Sequence, residues 1–146
     1  MSDDTPPSPT PRGIAGGPPR VVFYDPIPGG WDYDLERSVL DPAGVDLVIP
    51  SDPHEAETLI EDADVVVVTS IARLGADQIG RLTGPAGILC YSIGMNQVDH
   101  DAAAARGIPV TNVPAYCADE VAEHTIADIV SLLRGISPLD AQVREG

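Results

Sequence analysis

Between Asp64 and Thr69 the chain reads Val65-Val66-Val67-Val68. Successive β-branched side chains favour an extended backbone. A strand with one wet face alternates apolar and polar residues, whereas an unbroken apolar run between polar neighbours is expected of a central parallel strand covered on both faces. Parallel strands cannot be joined by tight turns, so helical crossovers must lie before and after this one. Upstream, Val21-Val22-Phe23-Tyr24-Asp25 reads as a strand stopped by Pro26 and the Pro28-Gly29-Gly30 turn. Asp32 to Leu40 follows as a short helix, ended by Asp41-Pro42 and Gly44, and Val45 to Ile49 is the next strand. Asp52-Pro53-His54-Glu55 is a helix start, with Asp52 as N-cap, Pro53 at the first helical position and Glu55 closing a capping box. That helix turns Leu59 and Ile60 inward and stops before Asp64.

Downstream of the valines the alternation continues. Ala76 to Leu82 reads as a helix broken by Gly84-Pro85, and Ile88-Leu89-Cys90-Tyr91 as a fourth strand. Asp99 caps a helix through Ala105, Gly107 ends it, and Ile108 to Asn112 forms a fifth short strand. Five strand–helix alternations are the pattern of an α/β doubly wound parallel sheet with right-handed crossovers.

One long element remains. From Asp119 to Arg134, Val121, Ala122, Thr125, Ile126, Ile129, Val130 and Leu133 recur at helical spacing. Asp119, Glu120 and Glu123 fall in the first turn, where the helix dipole favours acids, and Gly135 and Pro138 stop the helix. At ~1.5 Å per residue it is about 24 Å long. An amphipathic helix that follows a finished sheet needs a cover, so it is expected to bridge to a partner domain or subunit.

Composition narrows the function. Residues 1–19 are crowded with Pro, Ser, Thr and Gly and are expected to be a disordered tail. Mean hydropathy near zero with 43% hydrophobic residues suits a soluble domain, and no apolar run approaches a membrane span. The acidic Met-Ser-Asp-Asp start suits neither a signal nor a transit peptide, so the cytoplasm is the expected compartment. All eight basic residues are arginine, which excludes lysine Schiff bases and P-loops. A net charge of −15 opposes binding to nucleic acid or anionic membrane. Cys90 and Cys117 make no disulfide framework and no zinc spacing, and both are expected to be buried thiols. No metal site is expected.

Ligands in open α/β sheets sit beyond the carboxyl ends of the strands. In Tyr91-Ser92-Ile93-Gly94-Met95-Asn96, the Ile93-Gly94 step can leave backbone N–H groups uncovered to hold a carboxylate without a basic side chain. A phospho-receiver fails, because lysine is absent and the third strand ends Val68-Thr69-Ser70. A flavin-phosphate loop fails after the first strand, where Asp25-Pro26-Ile27-Pro28 offers an acid and two prolines. His54 and His100 fall near helix caps on the surface; His124 is expected to pack beside the apolar stripe, and no histidine has an acidic partner evident from spacing.

From Ala63 to Arg134 the chain resembles the D-isomer-specific 2-hydroxyacid dehydrogenases. Three segments carry the likeness in order: residues 91–99 (YSIGMNQVD), residues 106–114 (RGIPVTNVP) and residues 121–125 (VAEHT). Pro114-Ala115-Tyr116-Cys117 is most similar to the branch of the C-terminal-binding-protein corepressors. The resemblance implies a flavodoxin-like substrate domain, with sheet order 2-1-3-4-5, joined by the long helix to a Rossmann domain that binds NAD. It implies that the backbone at Ile93 and Gly94 holds the carboxylate of a small 2-hydroxy or 2-keto acid. It also implies that Ser70 and Ile71 wall the pocket, that Cys117 lines it and that Thr125 lies near the cofactor.

Departures from the family pattern shape the functional expectation. Met95-Asn96-Gln97 stands where members commonly have Tyr or Phe, then Asp-Asn, and Cys90 stands where the corepressor branch has a substrate-contacting arginine. No Gly-x-Gly-x-x-Gly follows a strand, and the family's catalytic Arg, Glu and His come from later sequence. No catalytic residue is therefore assigned. Residues 20–116 are expected to be the substrate-binding half of an NAD-dependent dehydrogenase. Residues 117–146 are expected to be the bridging helix and the start of a cofactor domain, the chain being truncated and inactive alone. Its expected partners are a second copy or a separate Rossmann-domain chain. The alternative is a non-catalytic interaction or oligomerisation module that keeps the half-fold; an independent small-molecule binding domain is a third reading.

Overall fold

The valine run is the middle of a five-stranded sheet in the computed structural model, which describes residues 16–26, 31–83 and 87–146. The Pro28-Gly29-Gly30 turn, the Gly84-Pro85 break and residues 1–15 of the expected tail lie outside the described residues. The strands are β1 (Arg20–Phe23), β2 (Asp46–Val48), β3 (Val65–Val68), β4 (Gly87–Cys90) and β5 (Val110–Asn112). All pair in parallel in the order β2-β1-β3-β4-β5, with Val22 opposite Val66, Val66 opposite Ile88 and Ile88 opposite Val110. This is the α/β order expected from the alternation and the family likeness.

The pleat divides the valines between two cores. Val66 and Val68 point with Val22, Ile88 and Cys90 toward α2 (Pro53–Leu59), α3 (Ala76–Arg81) and α4 (His100–Ala105), where Ala56, Ile60, Leu74, Ile79 and Ala103 close a continuous core. Val67 points the other way with Phe23 and Leu47, toward Tyr33 at the start of α1 (Asp34–Leu40). The right-handed crossover rule explains the split. The chain steps one way from β1 to β2 and the opposite way thereafter, so α1 covers one face and α2 to α4 the other. The direction reverses between β1 and β3, which makes their carboxyl ends the topological switch point.

Local differences from expectation have local causes. The first helix begins at Asp34 rather than Asp32, because Asp32 Oδ1 accepts the Asp34 N–H (3.1 Å) and Tyr33 takes a left-handed conformation, φ 55°. Asp52 caps α2 as expected, accepting from the His54 and Glu55 N–H groups at 2.8 and 2.9 Å. Glu55, however, reaches Ser51, accepting from its N–H and Oγ at 2.7 and 2.6 Å, so the box closes one residue earlier. Those two Ser51 bonds hold the Glu55 carboxyl below its usual range. The strands β2 and β5 are shorter than expected, and β4 runs one residue earlier.

The described residues divide into two compact units, one ending at Pro114 and the other spanning residues 115–146. The second consists of α5 (Ala118–Arg134) and α6 (Ile136–Glu145), hinged at Gly135 with φ 62°. Because α5 starts at Ala118, Glu123 falls beyond its first turn. Gly135 ends α5 as expected, but Pro138 does not stop the chain's helicity: it sits in the first turn of α6, where a helix has no partner for the missing N–H. No residue of either helix is buried. Among the described residues no helix is long and apolar enough to cross a membrane.

Candidate functional site

The carboxyl ends of β1, β3 and β4 converge on three loop segments. After β1 comes Asp25, 6% exposed. Its Oδ1 accepts the Thr69 N–H at 2.6 Å; its Oδ2 accepts from Thr69 Oγ1 (2.6 Å), the Ala72 N–H (2.9 Å) and the Ile71 N–H (3.2 Å). A buried carboxylate is costly unless its lone pairs are satisfied, and here three backbone amides and a hydroxyl satisfy them. The β3–α3 loop is thus wrapped around an acid from β1. In the sequence Asp25 stands only as an acid unfavourable to a phosphate; this role depends on residues far downstream. Its one signal is an Asp and a Thr ending neighbouring strands.

The segment after β4 is held by its carbonyls. Ser92 O accepts from the Val113 N–H (3.1 Å), Ile93 O from Asn112 Nδ2 (2.6 Å), Gly94 O from Ser92 Oγ (2.8 Å) and Met95 O from the Val98 N–H (3.2 Å). Gln97 Nε2 donates to Ser92 Oγ (2.9 Å), and His100 Nε2 also contacts Met95 O at 2.9 Å. The Ile93 and Gly94 N–H groups, by contrast, donate to no partner among the described residues. A Cβ at Gly94 would meet Asn96 Oδ1 at 3.0 Å, so the position is tight on that side. Four consecutive carbonyls of this segment are thus pinned, while two of its amides are left without a partner among the described residues.

The two loops are clasped together. Leu74 pairs with Val98 as a single parallel bridge, the Leu74 N–H donating to Gln97 O (2.9 Å) and the Asp99 N–H to Leu74 O (3.0 Å). The structure therefore brings the Ser70-Ile71 loop beside the Ile93-Gly94 loop. Ile71, 60% exposed, stands on the wall of a cavity of 520 Å³ together with Tyr24, Trp31, Tyr33 and Ala72; Ser70, Ile93 and Gly94 are not on that wall.

Around the site, side chains brace the strand ends. Phe23 meets Tyr33 and Tyr91 edge-on, at ring separations of 5.0 and 5.8 Å. Burial, and then the hydroxyl's bond to Glu36 (2.9 Å), push the Tyr91 phenol up. Tyr24 donates to Glu57 Oε1 at 2.5 Å, Gln78 Nε2 donates to the same oxygen at 3.2 Å, and Arg81 pairs with Oε2. Burial alone would raise the Glu57 carboxyl, but the bonds from Tyr24, Gln78 and Arg81 and the Arg81 charge outweigh it and hold it below the usual carboxylate range. Its contribution to stability is therefore fully present well above the usual carboxylate range and is lost as pH falls through the depressed folded value. Glu57→Gln is expected to cost about 1 kcal/mol at neutral pH, discounted for partial exposure. Urea denaturation at pH 7 and pH 3 checks this: the gap between wild type and variant should close at the lower pH.

The remaining expected residues divide plainly. Cys90 is fully buried, and desolvation raises its thiol pKa; Cys117 is only half-buried, which corrects the expectation for it. His54 and His100 are exposed, as expected. His124 does not pack: its side chain is 83% exposed, with Nε2 3.8 Å from Asp128, an acidic partner at the i+4 spacing. Thr125 Oγ1 donates to Val121 O at 2.7 Å within α5. Cys117 and Thr125 belong to the second unit. Among the described residues no group of three His, Cys, Asp or Glu side chains could hold a metal.

Comparison with known proteins gives one family. The model of the D-isomer specific 2-hydroxyacid dehydrogenase catalytic domain matches residues 21–142. D-3-phosphoglycerate dehydrogenase of Escherichia coli K12 is 39% identical over 95 residues, 65% of this chain and 23% of the relative. D-3-phosphoglycerate dehydrogenase 1 of Saccharomyces cerevisiae is 36% identical over 87 residues, 60% of this chain and 19% of the relative. The chain thus matches about a fifth to a quarter of these relatives' length. Among solved structures, the pyruvate reductase of Chlamydomonas reinhardtii matches with a TM-score of 0.63 and 27% identity, over 89% of this chain and 39% of that one. Aquifex aeolicus D-lactate dehydrogenase, solved with NAD and lactic acid, shares the fold at a TM-score of 0.71 and 24% identity, over 86% of this chain and 37% of that one.

Proposed function

The chain belongs to the D-isomer-specific 2-hydroxyacid dehydrogenase family, and on that premise we propose that residues 20–116 are the substrate-binding part of an NAD-dependent oxidoreductase acting on a 2-hydroxy or 2-keto acid. The observation that carries this reading is the unspent pair of amides at Ile93 and Gly94, set at the carboxyl end of β4 by carbonyls that are all tied down. Two preorganised N–H donors match the two oxygens of a carboxylate and need no cation, which suits a chain with no lysine. In this reading Ser70 and Ile71 form the neighbouring wall, Cys117 belongs to the site's margin, and α5 opens the cofactor-binding part with Thr125 on its cofactor side. The resemblance of Pro114–Cys117 to the corepressor branch remains part of the proposal.

NAD would accept the hydride from the hydroxyl-bearing carbon. No Gly-x-Gly-x-x-Gly turn follows a strand in the sequence, and the Thr125 hydroxyl, which donates to Val121 O, can offer a cofactor only its acceptor lone pairs. The hydride step is therefore not assigned to these residues, which bind and orient the acid.

Titration of the ¹⁵N-labelled chain with oxamate, a stable 2-keto acid mimic, tests the reading. Shifts are expected first at the Ile93 and Gly94 amides. Gly94→Pro, which removes one donor, should weaken binding about tenfold, as befits one hydrogen bond to a charged group. Shifts confined to residues outside 92–96, or an unweakened Gly94→Pro, would overturn it. The exposed apolar side chains of α5 and α6 favour a second reading, in which this part of the chain serves association.

A further inference from the structure

We propose that Asp25 is a positioning residue: its carboxylate permanently fills the anion seat at the switch point of the sheet, fixing the Ser70-Ile71 loop and leaving the Ile93-Gly94 amides as the seat open to substrate. The inference rests on the substrate reading above for the second seat and on geometry alone for the first.

Doubly wound sheets collect anions where the strand order reverses, because the loops there turn backbone amides toward the crevice. In this chain the reversal lies between β1 and β3, and the amides of Thr69, Ile71 and Ala72 converge there. They meet not an open crevice but Asp25, with the Thr69 hydroxyl as a fourth donor at 2.6 Å. Among the described residues no arginine pairs with this buried acid, so its charge is balanced by peptide dipoles. Two consequences follow. The loop amides are consumed and cannot bind a substrate carboxylate, while the carboxylate's charge repels a second anion from the same place. The loop is also tied at both ends, to Asp25 through Thr69–Ala72 and to the next loop through Leu74 and Val98. Ser70 and Ile71 are thereby held facing outward, both exposed, beside the Ile93-Gly94 pair.

The test exploits the size of the missing group. Asp25→Ala removes one carboxylate and leaves the Cβ, so added formate can refill the seat. In the variant, amide hydrogen exchange at Thr69, Ile71 and Ala72 is expected to rise about tenfold or more by local opening, while Val22, Val66 and Ile88 keep their protection. Formate should reverse the rise and chloride at equal ionic strength should not. Asp25→Asn, with an amide occupying the seat, should show faster exchange at Ile71 and Ala72 that formate cannot reverse. If Asp25→Ala does not fold, the Asn variant still decides, since unchanged exchange there would refute the clamp. Uniformly lost protection with no formate effect in a folded Ala variant would likewise refute it. Oxamate provides the second arm: its shift at Gly94 should survive in Asp25→Ala while any shift at Ile71 is lost. Oxamate shifting the Asp25-bound amides of the wild type more strongly than Gly94 would overturn the division between the seats. Oxamate shifting neither loop would sink the substrate reading and leave the clamp to the exchange data.

Discussion

Sedimentation velocity across a wide concentration series is expected to show the chain associating, with the sedimentation coefficient rising as concentration rises. The cause lies in α5 and α6. Val121, Ile126, Ile129, Val130 and Leu133 are 48–79% exposed, and Ile136, Leu139 and Val143 of α6 are at least half exposed. Full burial of such a side chain from complete exposure is worth roughly 1.5–3 kcal/mol, so five that are about half to four-fifths exposed offer about 4–9 kcal/mol. Association costs about 4–15 kcal/mol in lost rigid-body freedom, so the balance is close and the equilibrium should depend on concentration. Ile129→Asp together with Leu133→Asp should yield a monomer, because burying each new carboxylate would cost several kcal/mol. Since both positions are at least half exposed, far-UV circular dichroism should not change. A wild type that stays monomeric at the highest concentration would show that these side chains are not an association face, and a double variant that unfolds would show that they are not exposed in solution.

What the sequence disclosed and what it hid follow from the range of the interactions. The four valines, the Asp52 and Asp99 caps and the Gly107 helix end (φ 66°) are set by neighbours a few residues away, and each stands where its local chemistry puts it. The strand order came through because alternation plus handedness leaves few topologies and the family likeness singles out one of them. Asp25 was hidden because its partners lie 44–47 residues downstream, and a single acid at a strand end has no periodic signature. Pro138 misled for another reason: proline both stops helices and opens them, and the sequence does not say on which side a boundary lies. At His124 the acid Asp128 stood at helical spacing, but the apolar stripe suggested packing that α5 does not provide within its own unit. The Ile93-Gly94 step was legible as a glycine after a strand. What makes those amides a donor pair, the pinning of four carbonyls by Ser92, Val98, Asn112 and Val113, needed the fold.

Replacing Leu74 with alanine is expected to produce the largest loss of stability of any single core truncation near the site. Leu74 is fully buried against the α2–α4 face of the sheet, and its backbone forms the bridge that clasps the β3–α3 loop to the β4–α4 loop. Truncating a fully buried leucine costs about 2–5 kcal/mol from lost transfer energy and the cavity left behind. The upper half of that range is expected here, because the bridge on either side prevents the backbone from collapsing into the void. Leu35→Ala, at a position 70% exposed on α1, should change stability by no more than about 0.5 kcal/mol. Leu74→Met keeps the volume and the bridge and should cost less than about 1.5 kcal/mol. Urea unfolding followed by circular dichroism ranks the three; an unchanged slope would mean that the loss is of stability and not of cooperativity. The clasp adds a second consequence. Where Leu74→Ala still folds, the two loops lose their common support, so oxamate binding at Ile93 and Gly94 should weaken although neither residue has changed. A Leu74→Ala variant that loses several kcal/mol yet binds oxamate as the wild type does would separate the two roles and show that the β4 segment is held by its own carbonyl bonds alone.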